Sequence, residues 1–302
     1  MAIHIQPISP IALDLFGLEI RWYALSYIAA FIIGYWMMRR LAAAGEKGKG
    51  KRDIGTVPSS LFPFPSKKYW DDLLTYVILG TIIGGRLGYV LFYNLSYFIE
   101  RPLEIFAIWH GGMAFHGGLI GVIAAVFLFA WKCRGGISSA PIRAQNIAPL
   151  QNAFSILDLM AVVAPIGLFF GRLANFINME VMGRETTSKL GVVFVDSNGM
   201  PIGDAVPRHA SPLYEAALEG ILLFIIMFAL FRWTKLRERA GALGGIFGML
   251  YAVFRIFAEQ FRAPDAHIGF LTGWGLTMGQ LLSALMFIAG AAIFAIAMRR
   301  NK

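Results

Sequence analysis

Apolar residues in this chain arrive in long unbroken blocks, not in the alternation of strands or the one-sided pattern of soluble helices. Seven blocks, at about 19–39, 72–93, 114–133, 157–178, 212–232, 242–261 and 277–298, predict seven membrane-crossing helices, because about twenty apolar residues in helical form span a hydrocarbon core roughly 30 Å thick. The first block is too long for a cleavable signal peptide and lacks a basic leader and a small-residue cleavage site. Gly/Lys-rich and then Pro/Ser-rich residues at 45–70 predict a long polar connection, and residues 179–211 a compact excursion with turns at Asn198-Gly199 and Pro207. No internal repeat is evident, and an odd number of helices does not divide into the two equal inverted halves of many transporters.

Charge gives these elements a direction. Arg39, Arg40, Lys47, Lys49, Lys51, Arg52, Lys67 and Lys68 fall between the first two blocks. Lys132, Arg134 and Arg143 follow the third, Arg232, Lys235, Arg237 and Arg239 the fifth, and Arg299, Arg300 and Lys302 the last. The alternate connections are poorer, with Arg101, Arg262, and Arg184, Lys189 and Arg208 among acids. Basic residues collect on the cytoplasmic side. The expected fold is therefore an all-α integral membrane protein of about seven transmembrane helices, N-terminus outside and C-terminus cytoplasmic. Residues 1–302 would form a single polytopic membrane domain, with 40–71 a cytoplasmic connection and 179–211 a small extracytoplasmic cap. The composition, 57% hydrophobic with a formal net charge of +9 and a mean hydropathy of +0.63, fits this distribution and needs no nucleic acid. One cysteine excludes an internal disulfide framework.

This topology places the intramembrane polar residues at one level. Arg21, Tyr23, Tyr27, Arg86, His116, Arg172, Asn175, Asn178, Glu215, Glu219, Tyr251, Arg255 and Glu259 all fall in the outer halves of the predicted helices, with Arg262 at the end of the sixth. Such groups are costly in lipid and normally face a protein interior or a wet cavity, so a single outward-opening cavity is expected. Tyr251, Arg255, Glu259 and Arg262 share a helix face by spacing, as do Arg172 with Asn175 and Glu215 with Glu219. Two readings stand side by side for each residue: ligand contact, or a neutral Arg–Glu packing device, for which Arg255–Glu259 is the first candidate.

The glycines divide the same way. Gly80, Gly84 and Gly88 have the spacing of close helix packing, whereas Gly111, Gly112, Gly117 and Gly118, flanking His116, are expected to let backbone approach a ligand. Cys133 sits at the far end of its helix from the polar level, and His4, His110 and His267 lie at outer margins. His209, just before the fifth helix, is a secondary candidate. Arginine suits an anionic lipid headgroup because its forked donors match phosphate and its charge is permanent. An enzyme transferring part of a phospholipid and a transporter of an anion both fit. The inner halves are almost free of ionisable groups apart from the helix ends, which favours the enzyme.

Several motifs resemble the prolipoprotein diacylglyceryl transferase family. They are Phe115-His116-Gly117-Gly118, Gly171-Arg172-Leu173-Ala174-Asn175-Phe176-Ile177-Asn178, Glu180 with Gly183-Arg184, Arg21-Trp22-Tyr23, Arg208-His209, Leu213-Tyr214-Glu215, Tyr251 to Arg255, and Glu259 to Asp265. Ala174 and Met179 stand where the family often has glycine, and the connection near 45–70 is long. The resemblance implies a bacterial inner-membrane enzyme acting at the periplasmic face on phosphatidylglycerol and the lipobox cysteine of preprolipoproteins, with a thioether and glycerol phosphate as products. No cofactor or metal is implied. His116, Arg172 and Arg255 are the expected catalytic residues. Tyr23, Arg86, Asn175, Asn178, Glu180, Gly183, His209, Tyr251, Glu259 and Arg262 are the expected substrate-binding residues. An imidazole with a pKa near 6.5 suits the removal of a thiol proton, and His116 is either that base or a headgroup ligand.

Overall fold

A computed structural model describes residues 2–43, 67–108, 111–133, 149–203, 205–263, 271–272 and 275–299. Most of the predicted 40–71 connection, together with Arg134, Arg143, His110, His267, Arg300 and Lys302, lies outside the described residues. The long helices are α1 (Trp22–Ala43), α2 (Lys67–Tyr93), α4 (Phe115–Cys133), α5 (Pro149–Ile177), α6 (Ser211–Trp233), α7 (Ala242–Ala258) and α8 (Met278–Arg299), with a short α3 (Leu95–Glu100) after α2. Each long helix overlaps one predicted block. Four of them, within α2, α5, α6 and α8, are long and apolar enough to cross a membrane, and two shorter apolar helices lie in α4 and α7. The chain is mostly helical, as an α-helical membrane protein requires.

The helices expose what a water-soluble protein would bury. On α2, Leu79, Ile83, Leu87 and Leu91 form a stripe at four-residue spacing, each about half exposed. Ile221 and Ile225 on α6, and Leu285 and Ile288 on α8, do the same. Contiguous exposed apolar surface of this kind belongs against lipid or protein, not water.

The all-α expectation needs one correction. Strand β1 (Ile3–Ile5) pairs in parallel with β4 (Val192–Phe194), and β2 (Ile11–Leu15) forms an antiparallel hairpin with β3 (Leu18–Arg21). Arg21, expected inside the first helix, is thus the last residue of β3, and α1 begins at Trp22. Strands of three to five residues are too short for alternation to reveal them, and the parallel pair joins segments nearly two hundred positions apart.

Two compact units make up the chain: Met1–Met38 with Leu159–Lys302, and Arg39–Asp158. In the first unit, Leu159 and Val162 of α5, Leu223 and Met227 of α6, and Leu243 and Ala252 of α7 are sealed in the core. Glycines bring α7 and α8 into backbone contact: a Cβ on Gly245 would meet the Gly290 carbonyl oxygen at 2.7 Å, and one on Gly290 the Gly245 oxygen at 2.7 Å. Pro165, fully buried inside α5, has no N–H for that helix's hydrogen-bond ladder. The segment between α5 and α6 is held by β4 and by single bridges from Gly183 to Arg262, Glu185 to Arg208 and Val195 to Pro201.

In the second unit α2 and α4 pack through facing glycines. A Cβ on Gly84 would collide with the Gly117 carbonyl oxygen, one on Gly117 with the Gly84 oxygen, and one on Gly88 would lie 2.6 Å from the Gly117 Cα. The packing role expected for Gly80, Gly84 and Gly88 is what the geometry gives. Gly117 departs from expectation: its missing side chain admits a neighbouring helix, not a ligand. Backbones this close gain dispersion and weak C–H···O contacts that side chains would prevent.

Gly118 has room that Gly117 lacks, since its Cβ would meet Thr81 oxygen only at 3.7 Å. Gly117→Ala is expected to lower thermal stability in detergent, by about 1–3 kcal/mol from overpacking, while Gly118→Ala should be neutral or gain up to about 1 kcal/mol from helix propensity. Equal melting shifts for the two variants would show that the α2–α4 contact is not as close as described.

Candidate functional site

Ionisable residues of three helices of the first unit meet at the C-terminal ends of α5 and α7 and the N-terminal end of α6. There the carboxylates and guanidinium groups interlock. Arg172 Nε lies 2.8 Å from Glu215 Oε2 and its Nη2 3.4 Å from Glu219 Oε2. Arg255 Nη1 lies 3.0 Å from Glu215 Oε2 and 3.8 Å from Glu219 Oε1, and its Nη2 is 2.9 Å from Glu259 Oε2. Arg262 Nη1 reaches Glu215 Oε1 at 3.5 Å. Three arginines thus face three glutamates, so the cluster is neutral in itself. Tyr251 is buried beside it, within electrostatic reach of Arg172, Arg255, Glu215 and Glu219.

The two kinds of charge are not equally covered. The glutamate side chains are 0–6% exposed, whereas those of Arg172, Arg255 and Arg262 are 20%, 13% and 14% exposed. The carboxylates form the floor and the guanidinium groups lie over it. Several of these contacts are ion pairs without hydrogen-bond alignment: Glu215 Oε2, Glu219 Oε1, Glu259 Oε2 and Arg255 Nη1 are buried with no aligned partner among the described residues.

Local backbone explains how the floor is built. Glu215 closes the first α-helical turns of α6, and Glu219 lies in a π-helical stretch, Ala216–Leu222. Such widened turns recur at functional sites because they re-aim side chains. Gly220 lets α6 approach α5, since its Cβ would meet Phe169 Cβ at 2.7 Å, and this brings Glu219 to Arg172. Glu259 is fixed from the other side: Thr277 Oγ1 donates to its Oε1 at 3.0 Å, and a Cβ on Gly279 would strike that carboxylate at 2.8 Å. Thr277 and Gly279 were not foreseen, because neither carries a charge or a recognisable spacing. Arg262, expected on the α7 face, lies beyond the helix, which ends at Ala258. A turn at Gln260 and Phe261 then leads Arg262 into its bridge with Gly183.

A second group follows α5. Asn175 Nδ2 donates to Glu180 Oε2 at 3.1 Å, Asn178 Nδ2 to Glu180 Oε1 at 3.4 Å, and the Glu180 amide to the Asn175 carbonyl at 2.9 Å. The chain turns sharply here, with Met179 at φ 56° and Val181 at φ 59°. Left-handed backbone is uncommon for any side chain and most strained for a branched one. Met179 therefore occupies a position that glycine would take without cost, which gives physical meaning to glycine in the resembling pattern. Nearby, the Gly183 amide donates to the His209 carbonyl at 2.8 Å, and a Cβ on Gly183 would strike the Phe261 and His209 oxygens. The His209 ring packs edge-on against Tyr214 and Phe261 and lies 3.3 Å from the Tyr214 hydroxyl. Gly183 and His209 are thus held by the backbone of the turn. Tyr23 is half-exposed at the start of α1, its ring 5.4 Å from that of Tyr27.

Two expected site residues belong to the second unit. His116 is the second residue of α4, and the placement expected for its side chain lies outside the described residues. Arg86 is buried, and its donors go to main-chain carbonyls of Glu104, Ile105, Ala107, Gly111 and Gly112. Arg86 was expected to bind substrate, and in this structure each of its N–H groups is directed to a main-chain acceptor. Gly111 and Gly112, with φ 81° and 77°, curve around that guanidinium, so they too serve the chain and not a ligand.

Glu215→Gln keeps the shape of the floor and removes one charge. It should cost about 3–5 kcal/mol, because two sealed carboxylates would then face three largely covered arginines, whereas Glu19→Gln, in the exposed 3.6 Å pair with Arg21, should cost less than about 1 kcal/mol. Thermal unfolding of the two variants in detergent tests the contrast, and similar shifts would deny the network its structural weight.

The sequence compares with known proteins over its whole length. A model of the prolipoprotein diacylglyceryl transferase family matches residues 10–296. A phosphatidylglycerol–prolipoprotein diacylglyceryl transferase of Azospirillum brasilense is 44% identical over 99% of this chain and 98% of its own. The protein of that name from Nitrobacter hamburgensis is 46% identical over 97% and 89%, and that from Bradyrhizobium diazoefficiens 43% identical over 100% and 95%. With matches of this extent and a site carrying the arginines, asparagines and glutamates of the resembling motifs, the chain belongs to the prolipoprotein diacylglyceryl transferase family.

Proposed function

We propose that this protein transfers the diacylglyceryl group of phosphatidylglycerol to the lipobox cysteine of preprolipoproteins, the first step of lipoprotein maturation. It would do so as a seven-span protein of the bacterial inner membrane, with the arginine cluster toward the periplasm. Membership of the family supports the reaction. The asymmetry of basic residues between connections supports the orientation. The observation that carries the chemistry is the set of Arg172, Arg255 and Arg262, backed by sealed carboxylates and themselves partly accessible.

The reaction joins sulfur to carbon and separates carbon from oxygen. The cysteine thiol gives its proton to a base, and a sulfur electron pair attacks the glyceryl carbon that bears the phosphate. As the S–C bond forms, the C–O bond breaks. Its electron pair stays on the phosphate oxygen, which leaves as glycerol phosphate. The acceptor sulfur comes from the substrate, so the enzyme needs no nucleophile of its own. Charge grows on the phosphate as the bond breaks, and guanidinium groups already held in place stabilise that state more than the ground state. Arg172 and Arg255 take this role, and the glutamates behind them supply the fixed orientation. Asn175 and Asn178, held by Glu180, offer amide groups to the glycerol hydroxyls, with Tyr23, Tyr251 and Arg262 lining the approach. His116 is the base, on the strength of the chemistry of an imidazole and its place in the Phe-His-Gly-Gly motif.

Purified protein supplied with phosphatidylglycerol and a lipobox peptide should add the diacylglyceryl mass to the cysteine. Arg172→Lys and Arg255→Lys keep the charge but not the fork, and should each lower kcat about 100- to 1,000-fold; near-normal turnover would remove these arginines from the transition state. His116→Asn should recover activity as pH rises toward the thiol pKa near 8.5. A loss unrelieved at alkaline pH would make His116 a headgroup ligand instead of a base.

A further inference from the structure

The second unit contains a buried cation engaged in an unusual way. A guanidinium has five N–H donors in a rigid plane, and Arg86 directs all five to main-chain oxygens. Nε donates to Ile105 at 2.8 Å, Nη1 to Gly111 at 2.5 Å and Gly112 at 3.2 Å, and Nη2 to Glu104 at 2.6 Å and Ala107 at 3.2 Å. The guanidinium carbon also lies 5.1 Å from the centre of the Phe98 ring of α3. Arg86 therefore gathers the connection after α3 onto α2. Its neighbours on α2 complete the grip: the Gly85 carbonyl accepts from the Ala114 amide at 2.9 Å, and the Tyr89 ring lies where a Cβ on Gly112 would fall, at 2.6 Å. The residues so held, Gly111 to Ala114, run directly into Phe115 and His116, the first two residues of α4.

We propose that Arg86 is a positioning residue: its carbonyl cage fixes where α4 begins and hence the backbone that carries His116. The inference rests on the reading of His116 as the thiol base. It assigns to Arg86 the geometry of proton removal and not the binding of phosphate. A lysine at this position keeps the charge but has only three donors on a single nitrogen, so it cannot span oxygens distributed over nine residues of chain.

Two kinds of measurement test the idea. In the transfer assay, Arg86→Lys should lower kcat about 10- to 100-fold, as displacement of a reacting group does, with the KM for phosphatidylglycerol changed less than about threefold. Gly112→Ala, which crowds the cage without altering its charge, should give the same pattern and covers the case in which Arg86→Lys does not fold. A KM raised tenfold or more at near-normal kcat in Arg86→Lys would overturn the proposal in favour of direct phosphate binding, and so would full activity in both variants. Hydrogen exchange separates this proposal from the reading of His116. Amides of 111–114 should exchange about tenfold faster in Arg86→Lys while the rest of α4 stays protected. Unchanged exchange there would overturn the positioning role whatever His116→Asn does. Faster exchange together with an active His116→Asn would leave the cage intact and remove only the base.

Discussion

Three carboxylates closed off from solvent at one end of α5, α6 and α7 set the terms for the rest of the first unit. A buried, unpaired carboxylate is strongly unfavourable, and more so in a chain surrounded by lipid. Glu215, Glu219 and Glu259 are tolerated because Arg172, Arg255 and Arg262 come within ion-pair distance of them. The packing around them serves that meeting. Gly220 admits Phe169, Gly279 makes room for the Glu259 carboxylate, and Gly245 and Gly290 bring α7 and α8 into contact.

The same arrangement links stability to chemistry. An arginine free to swing would have to be ordered during the reaction, whereas one tethered on a sealed carboxylate is already in place. The side chains of the three arginines keep 13–20% of their surface exposed while the carboxylates beneath them are sealed. Ligand contact and packing device, which the sequence leaves as rival readings of each residue, are therefore compatible in one side chain. Arg255 shows this most clearly, since it pairs with Glu259 one turn away and also reaches Glu215 on another helix.

The second unit solves a different problem with similar parts. Its helices approach through Gly84, Gly88 and Gly117, where any side chain would strike backbone. Its buried arginine is satisfied by carbonyl dipoles of a connecting segment, which neutral peptide groups can supply when they converge. Gly111 and Gly112 provide the left-handed backbone that this convergence needs. Around His116, Gly111 and Gly112 thus supply curvature before α4 and Gly117 helix contact within it.

The long apolar helices and the polar residues gathered near one end of them were legible in the chain itself. Hydrophobic length, charge asymmetry and helical spacing are local properties, and the observed long helices overlap the predicted blocks. The Gly-Arg-Leu-x-Asn-Phe-Ile-Asn block and its companions likewise carry the family without any coordinates. Partnership was not legible. Nothing local distinguishes Arg86, engaged by five carbonyls, from Arg172, resting on two glutamates, because residue type states a capacity and only distance states its use. Short strands, the π-helical stretch that holds Glu219 and the support of Glu259 by Thr277 were hidden for the same reason. Each depends on contacts between segments far apart in sequence, and those exist only once the chain has closed on itself.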